Sequence, residues 1–241
     1  MSLRAAVTRC VLTSCRAKLN TTLSPSHQCQ QRRHSIGQKL LGFYQRLWPA
    51  AAALKPPYQH VCQVGDPVLR SPAIEVDVNR IKSMEVQRLI VALVAGLRRT
   101  RAVGLSATQL GVGRRVFVVE FTQQHLENYA PAMRARREQT LVPLRVLVNP
   151  TMRVVDETRL VFNEGCLSVA GFSAQVPRFR EVEVSAYDAD GEPFTWCVSG
   201  WAARIVQHEM DHLDGKLYID RMDRLTFQYD EWARVNVRGK L

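Results

Sequence analysis

No aspartate or glutamate occurs before Asp66 in this 241-residue chain, no apolar run is long enough to cross a bilayer, and the cysteines show no paired spacing. Each absence excludes something. The longest apolar run, Leu89 to Leu97, falls far short of the ~20 residues a spanning helix needs, so no membrane span is predicted. The six cysteines, at 10, 15, 29, 62, 166 and 197, fit neither a disulfide framework nor a zinc ribbon and point to a reducing compartment. Internal repeats are lacking as well, which removes solenoid architectures.

The acid-free stretch holds nine basic residues: Arg4, Arg9, Arg16, Lys18, Arg32, Arg33, Lys39, Arg46 and Lys55. They supply most of the formal charge of +11, because the rest of the chain has 24 basic against 22 acidic residues. A phosphate backbone is bound by a concentrated basic face, so a nearly neutral body is not predicted to bind nucleic acid specifically. Residues 1–58, rich in Arg, Ser, Thr and Gln, have the composition of an organelle transit peptide, with a disordered basic arm as the alternative. Arg9, Arg16 and Lys18 interrupt every apolar stretch there and exclude a secretory signal.

After a linker ending at Lys55-Pro56-Pro57, the segment Gly65 to Arg70 is turn-rich. Val86, Leu89, Ile90, Leu93, Val94 and Leu97 recur at steps of three and four, with Ser83 placed to cap and Arg98 and Arg99 in the last turn; this predicts an amphipathic helix. Short β-branched runs at Arg115–Phe121, Arg145–Val148, Arg153–Val155 and Arg159–Phe162 predict strands, the second stopped by Asn149-Pro150. Glu181–Ala186 and Phe194–Val198 alternate with period two around Asp190-Gly191, as a hairpin would. Gln123–Pro143 is polar and long, and is expected to be a surface excursion. From Trp201 to Asp214 the pattern is helical again, with Gly215 placed for a left-handed cap; the whole reads as α+β with a domain at 59–236 and a short tail at 237–241.

That late helix carries His208-Glu209-Met210-Asp211-His212. Residues four apart stand one above the other, so both imidazoles can reach one ion while Glu209 projects about 100° round the helix as a base. A metal held this way activates water, which makes hydrolysis at neutral pH feasible. A catalytic site needs a third ligand. The metzincin spacing fails because Tyr218 stands where a third histidine belongs. Glu231 stands near the distance of the thermolysin-like glutamate, and Cys166, after a predicted strand, is the other candidate; a lone cysteine is by itself more often a small buried hydrophobe.

Three ordered segments, Gly104-Leu105-Ser106-Ala107-Thr108-Gln109, Glu164-Gly165-Cys166-Leu167-Ser168 and Gln207-His208-Glu209-Met210-Asp211-His212, resemble the motifs of the peptide deformylases, and Asp66 to Pro72 resembles that family's start. The resemblance implies antiparallel sheets packed around a central metal-binding helix, and Cys166, His208 and His212 as ligands of one divalent ion. Ferrous iron is expected there, with zinc or cobalt as other occupants. It implies removal of formyl from the formylmethionine of nascent organelle-made chains, with Glu209 relaying the proton and Gln109 and the Leu167 amide facing the oxyanion. Val103, Gly104 and Gly165 would line the peptide backbone. A mitochondrial matrix location follows from leader and substrate together; transient ribosome proximity and a homodimer are compatible with it. Ala102 and Ser106 stand where the family has glycine and alanine, and Arg204 where it has an apolar residue, which puts methionine recognition in question. Arg204 either faces the pocket with a partner or lies outward on the surface, and Asp211 either orients a ligand ring or is a solvated charge. A thermolysin-like zinc peptidase using Glu231 and a catalytically silent metal-binding module are the competing readings.

Overall fold

The computed structural model describes residues 55–239. Residues 1–54 and 240–241, which include nearly all of the expected leader and the end of the tail, lie outside the described residues.

Helix α1, Met84–Thr100, follows the predicted stripe: Val86, Leu89, Ile90, Leu93 and Leu97 are buried, and the Ser83 hydroxyl accepts from Val86 N. Each such aliphatic side chain contributes about 1.5 to 3 kcal/mol of burial. Arg98 and Arg99 occupy the last turn as expected, and Arg101 ends the helix in the left-handed region (φ 55°). Two strands follow, β1 (Gly104–Ser106) and β2 (Val116–Phe121), paired antiparallel and joined through a 3-10 turn at Ala107–Leu110.

β2 is buried on both faces, which is why it reads as a continuous apolar run. Val116 and Val118 pack with the α1 stripe, whereas Phe117, Val119 and Phe121 pack on the opposite side with the late helix. The strands expected separately between 145 and 162 are one strand, β3 (Val142–Cys166). Asn149-Pro150 does not stop it. The register shifts between Val148 and Thr151, Asn149 takes φ 50°, and its side-chain amide is stitched to Val76 N and Val76 O at 2.8 and 2.7 Å. A bulge thus absorbs the proline's missing donor.

β4 (Val169–Tyr187) returns antiparallel to β3, β5 (Pro193–Ser199) pairs with its second half, and the short β6 (Gln228–Tyr229) with its first. The order β1-β2-β3-β4-β5, with β6 beside β4, makes one continuous six-stranded sheet. The predicted hairpin between β4 and β5 is present, with Gly191 at φ 79°.

Gln123–Pro143 is not simply a surface excursion. It folds into two short helices, α2 (Gln123–Glu127) with Thr122 accepting from His125 N, and α3 (Pro131–Arg136), and its end is already β3. Leu126 and Tyr129 pack on the core, and the Arg137 guanidinium lies over the Trp201 ring at 4.6 Å.

Helix α4, Gly200–Leu213, contacts β1, β2, β3, β4 and β5, so the sheet surrounds it. Only Trp201 and His208 of its fourteen residues are not fully buried. Gly215 (φ 72°) closes it as expected: Gly215 N donates to His212 O and Lys216 N to Asp211 O. A Cβ there would meet Arg70 O at 2.8 Å, so space as well as φ demands glycine. A last helix, α5 (Trp232–Arg238), follows β6. Among the described residues no helix is long and apolar enough to cross a membrane.

Candidate metal centre and catalytic cleft

His208 and His212 lie on one face of α4 with ring centroids 5.1 Å apart. Cys166, the last residue of β3, meets them at the tight turn into β4: its Sγ is 3.2 Å from His212 Nε2, and the three donor atoms lie within 4.8 Å of one another. Donors that sit about 2.0 to 2.3 Å from a common ion are separated by distances of this order. The turn is pinned from outside, because Gln63 Nε2 donates to Leu167 O at 2.9 Å and Val64 N to Ser168 O at 2.7 Å. Ser168 N donates to the Cys166 sulfur at 3.4 Å.

Behind the histidines is an ion network that sequence reasoning missed. Glu164 Oε2 accepts from His208 Nδ1 at 3.0 Å, leaving Nε2 for the ion. Arg178 grips both Glu164 oxygens at 2.9 Å and Asp211 Oδ2 at 2.6 Å, while Arg204 Nη1 donates to Glu164 Oε1 at 2.7 Å and to Val176 O at 2.8 Å. Arg204 is therefore not an outward surface residue. It is 3% exposed, it borders the cleft, and Glu164 neutralises it. Asp211 is neither solvated nor against a ligand ring; it is buried between Arg178 and Arg221.

The network sets the titration of the site. Burial would raise the Glu164 carboxyl, but bonds from Arg178 and His208 outweigh it and hold the group far below its ordinary value. Burial also works against charge on the imidazoles. Bonds to Cys166 and Glu164 still hold His208 well above its usual value, whereas burial and the charge on His208 push His212 well below. An ion is held there only once the His208 proton has left, because a ligating imidazole is neutral.

Glu209, 3% exposed, follows His208 on α4 and lines the same cleft. Burial pushes its carboxyl up to about 7, and Oε2 has no protein partner among the described residues. A Cβ built on Gly104 would lie 2.3 Å from Glu209 Oε1, so this β1 glycine makes room for the carboxylate itself. No comparable demand exists at Gly165, where a Cβ would come no closer than 3.5 Å to Phe172 O.

Gln109, in the 3-10 turn after β1, is 2% exposed. Its Oε1 accepts from Ser106 N at 3.0 Å, and its Nε2 donates to Ser168 Oγ at 3.2 Å and lies 3.6 Å from Cys166 Sγ. Because a backbone N–H only donates, this bond fixes which end of the amide is which and aims the NH₂ group at the metal corner.

A cavity of about 330 Å³ opens over these groups, lined by Val103, Gly104, Gly165, Leu167, His208 and Glu209, with Trp201, Tyr129 and Ile205 on its apolar side. The structure thus brings together all nine site residues the sequence pointed to. The competing ligand candidate stays out of the centre: Glu231 is exposed at the start of α5 and pairs with Arg234. Tyr218, at the place of the metzincin histidine, is buried with its hydroxyl donating to Phe172 O at 2.9 Å. Burial pushes the Tyr218 phenol up to about 12.

Two imidazoles and a thiol converging on one point, with a buried partnerless carboxylate beside them and an open cleft above, define a mononuclear metallohydrolase. Over residues 58–228 the chain matches the polypeptide deformylase family. It is 52% identical over 182 residues to the human mitochondrial peptide deformylase, covering 76% of this chain and 75% of that protein. To the chloroplastic/mitochondrial peptide deformylase 1A of Arabidopsis thaliana it is 44% identical, covering 68% and 61%. The fold is similar to that of a Synechococcus elongatus peptide deformylase solved with actinonin (TM-score 0.58, 30% identity, 80% and 93% of the chains). It is also similar to an Acinetobacter baumannii enzyme solved with Met-Ala-Ser bound (TM-score 0.60, 30% identity, 67% and 96%). The chain belongs to the polypeptide deformylase family.

Proposed function

We propose that this chain, a metal-dependent deformylase, removes the formyl group from the N-terminal formylmethionine of nascent proteins at a single ion held by Cys166, His208 and His212. The convergence of those three donor atoms within 4.8 Å carries the reading. A thiol and two imidazoles suit ferrous iron and zinc alike, and the cobalt ion as well; ferrous iron is taken as the native occupant. When bound, the ion supplies Lewis acidity and brings the pKa of a coordinated water toward neutrality.

The chain's own groups do the rest. Glu209 Oε2, which has no other partner among the described residues, accepts the proton of the attacking water and returns it to the departing amine. Gln109 Nε2 and the Leu167 N–H donate to the oxygen that gains charge on the formyl carbon. β1 is an edge strand of the sheet, and Val103, Gly104 and Gly165 line the cleft, so the peptide lies along it as an added strand. Glu164 holds His208 in the tautomer that leaves Nε2 unprotonated.

Residues 1–58, basic and free of acidic residues, are read as a transit peptide, and the location as the mitochondrial matrix. The enzyme meets its substrates there as they leave the ribosome. The test is formate release from formyl-Met-Ala-Ser alongside metal analysis. The wild type binds about one ion and releases formate, and Cys166→Ala does neither. Formate released by a Cys166→Ala protein lacking metal would refute the reading.

A further inference from the structure

Ser106 stands where the family usually has alanine, and its hydroxyl is completely buried against the back of Gln109. Ser106 Oγ lies 3.3 Å from Gln109 Oε1 and 3.0 Å from Thr108 Oγ1, and Thr108 is likewise inaccessible to solvent. The direction of this chain of bonds follows from valence. Gln109 Oε1 can only accept, so the one Ser106 proton goes to it, and the contact with Thr108 must then use the Thr108 proton. The order is Thr108 hydroxyl to Ser106 hydroxyl to Gln109 Oε1, with Gln109 Nε2 at the far end facing the Cys166 corner.

Two donors therefore converge on one amide oxygen, the Ser106 N–H at 3.0 Å and the Ser106 O–H at 3.3 Å. The first fixes the orientation of the amide. The second, fed by Thr108, draws electron density toward Oε1 and leaves the Nε2 protons more positive. Serial hydrogen bonds reinforce one another in this way where water is excluded. Leu105, Ala107 and Leu110, all within 1% of full burial, exclude water here.

We infer that Ser106 is a positioning residue for the deformylation step, strengthening Gln109 as a donor to the oxyanion through the relay from Thr108. The inference rests on the reading of Gln109 as an oxyanion donor. It also gives the departure from alanine a role in turnover rather than in methionine recognition, since Ser106 lies behind Gln109 and does not border the cleft.

The test is a double-mutant cycle on the metal-loaded enzyme, with kcat and KM for formyl-Met-Ala-Ser and metal content measured for each variant. Ser106→Ala keeps the backbone bond and removes only the hydroxyl, so kcat falls about two- to fivefold, the share of the oxyanion donor's effect that the cooperative strengthening supplies. KM and metal content stay at wild-type levels, because neither substrate nor ion touches Ser106. Thr108→Val, which keeps the shape and removes the proton, lowers kcat in the same direction by a smaller factor. In a Gln109→Ala background Ser106→Ala has no further effect, because the group it acts through is gone.

An unchanged kcat in Ser106→Ala, with a large loss in Gln109→Ala, would overturn the proposal and leave the role of Gln109 intact. A loss that recurs in full in the Gln109→Ala background, or one confined to KM, would overturn it too. Wild-type kcat in Gln109→Ala would overturn the oxyanion reading and this proposal with it.

Discussion

Glu164 Oε2 accepts from His208 Nδ1 at 3.0 Å while Arg178 grips both Glu164 oxygens. One buried carboxylate thus orients an imidazole of the proposed metal site and neutralises guanidinium charge. Replacing it by glutamine keeps the volume and removes the charge. Metal affinity should fall about 10- to 100-fold, as for other groups that orient ligands, and the melting temperature should drop because Arg178 and Arg204 lose their counter-charge. Chelator competition and thermal denaturation check this; unaltered metal affinity would mean that Glu164 is structural only.

The same carboxylate makes acid stability predictable. Its folded pKa lies far below the ordinary value of 4.5, where it titrates once unfolded. As pH falls below about 4.5 the unfolded chain takes up a proton that the folded chain refuses, so stability is lost progressively toward lower pH and is fully present above that range. Compared after chelation, so that ion release does not contribute, wild type should lose stability between pH 5 and 3 more steeply than Glu164→Gln. The difference is up to one proton's worth, about 1.4 kcal/mol per pH unit. Parallel curves would contradict it.

Gly104→Ala tests the close approach of β1 to the base. The added methyl would overlap Glu209 Oε1, at 2.3 Å, and must displace the carboxylate. A displacement of this size should lower kcat on the order of 100-fold with the ion still bound. Loss of metal instead of turnover would show that the strain had been passed to the ligands.

Cys166 and Glu231 separate two families of metallohydrolase. Cys166→Ser should lose most of its metal. Glu231→Ala should keep metal and activity, and change stability by no more than about 0.5 kcal/mol, as an exposed residue paired only with its neighbour Arg234. Demetallation by Glu231→Ala, read by metal analysis, would reverse the assignment.

What was legible in the sequence was local. The α1 stripe, its Ser83 cap and the Gly215 cap are written at fixed spacings within one element, and so are His208 and His212 one turn apart. Cys166 is preferred over Glu231 not by its own spacing but by the agreement of three ordered motifs, at Gly104–Gln109, Glu164–Ser168 and Gln207–His212. The ion network was not legible, because Glu164, Arg178, Arg204 and Asp211 come from β3, β4 and two positions of α4. Their meeting depends on the β3–β4 register, which pairs Leu160 with Arg178, and on the insertion of α4 against it. Asn149-Pro150 looked like a strand end because its compensation, the bonds to Val76, lies 73 residues away. The two short helices in 123–136 have no apolar period to read; a Thr122 cap and the stacking of Arg137 on Trp201 help hold that segment in place.

The central claim is that an ion held by Cys166, His208 and His212 acts with Glu209 as the proton carrier to release formate. The most direct test is formate production from formyl-Met-Ala-Ser by the chain loaded anaerobically with ferrous iron, beside Glu209→Ala loaded in the same way. The account predicts about one bound ion in both proteins, steady formate release by the first, and a loss of at least about 100-fold in the second. Formate release by the fully metallated Glu209→Ala protein at the wild-type rate, or none from the fully metallated wild type, would contradict it.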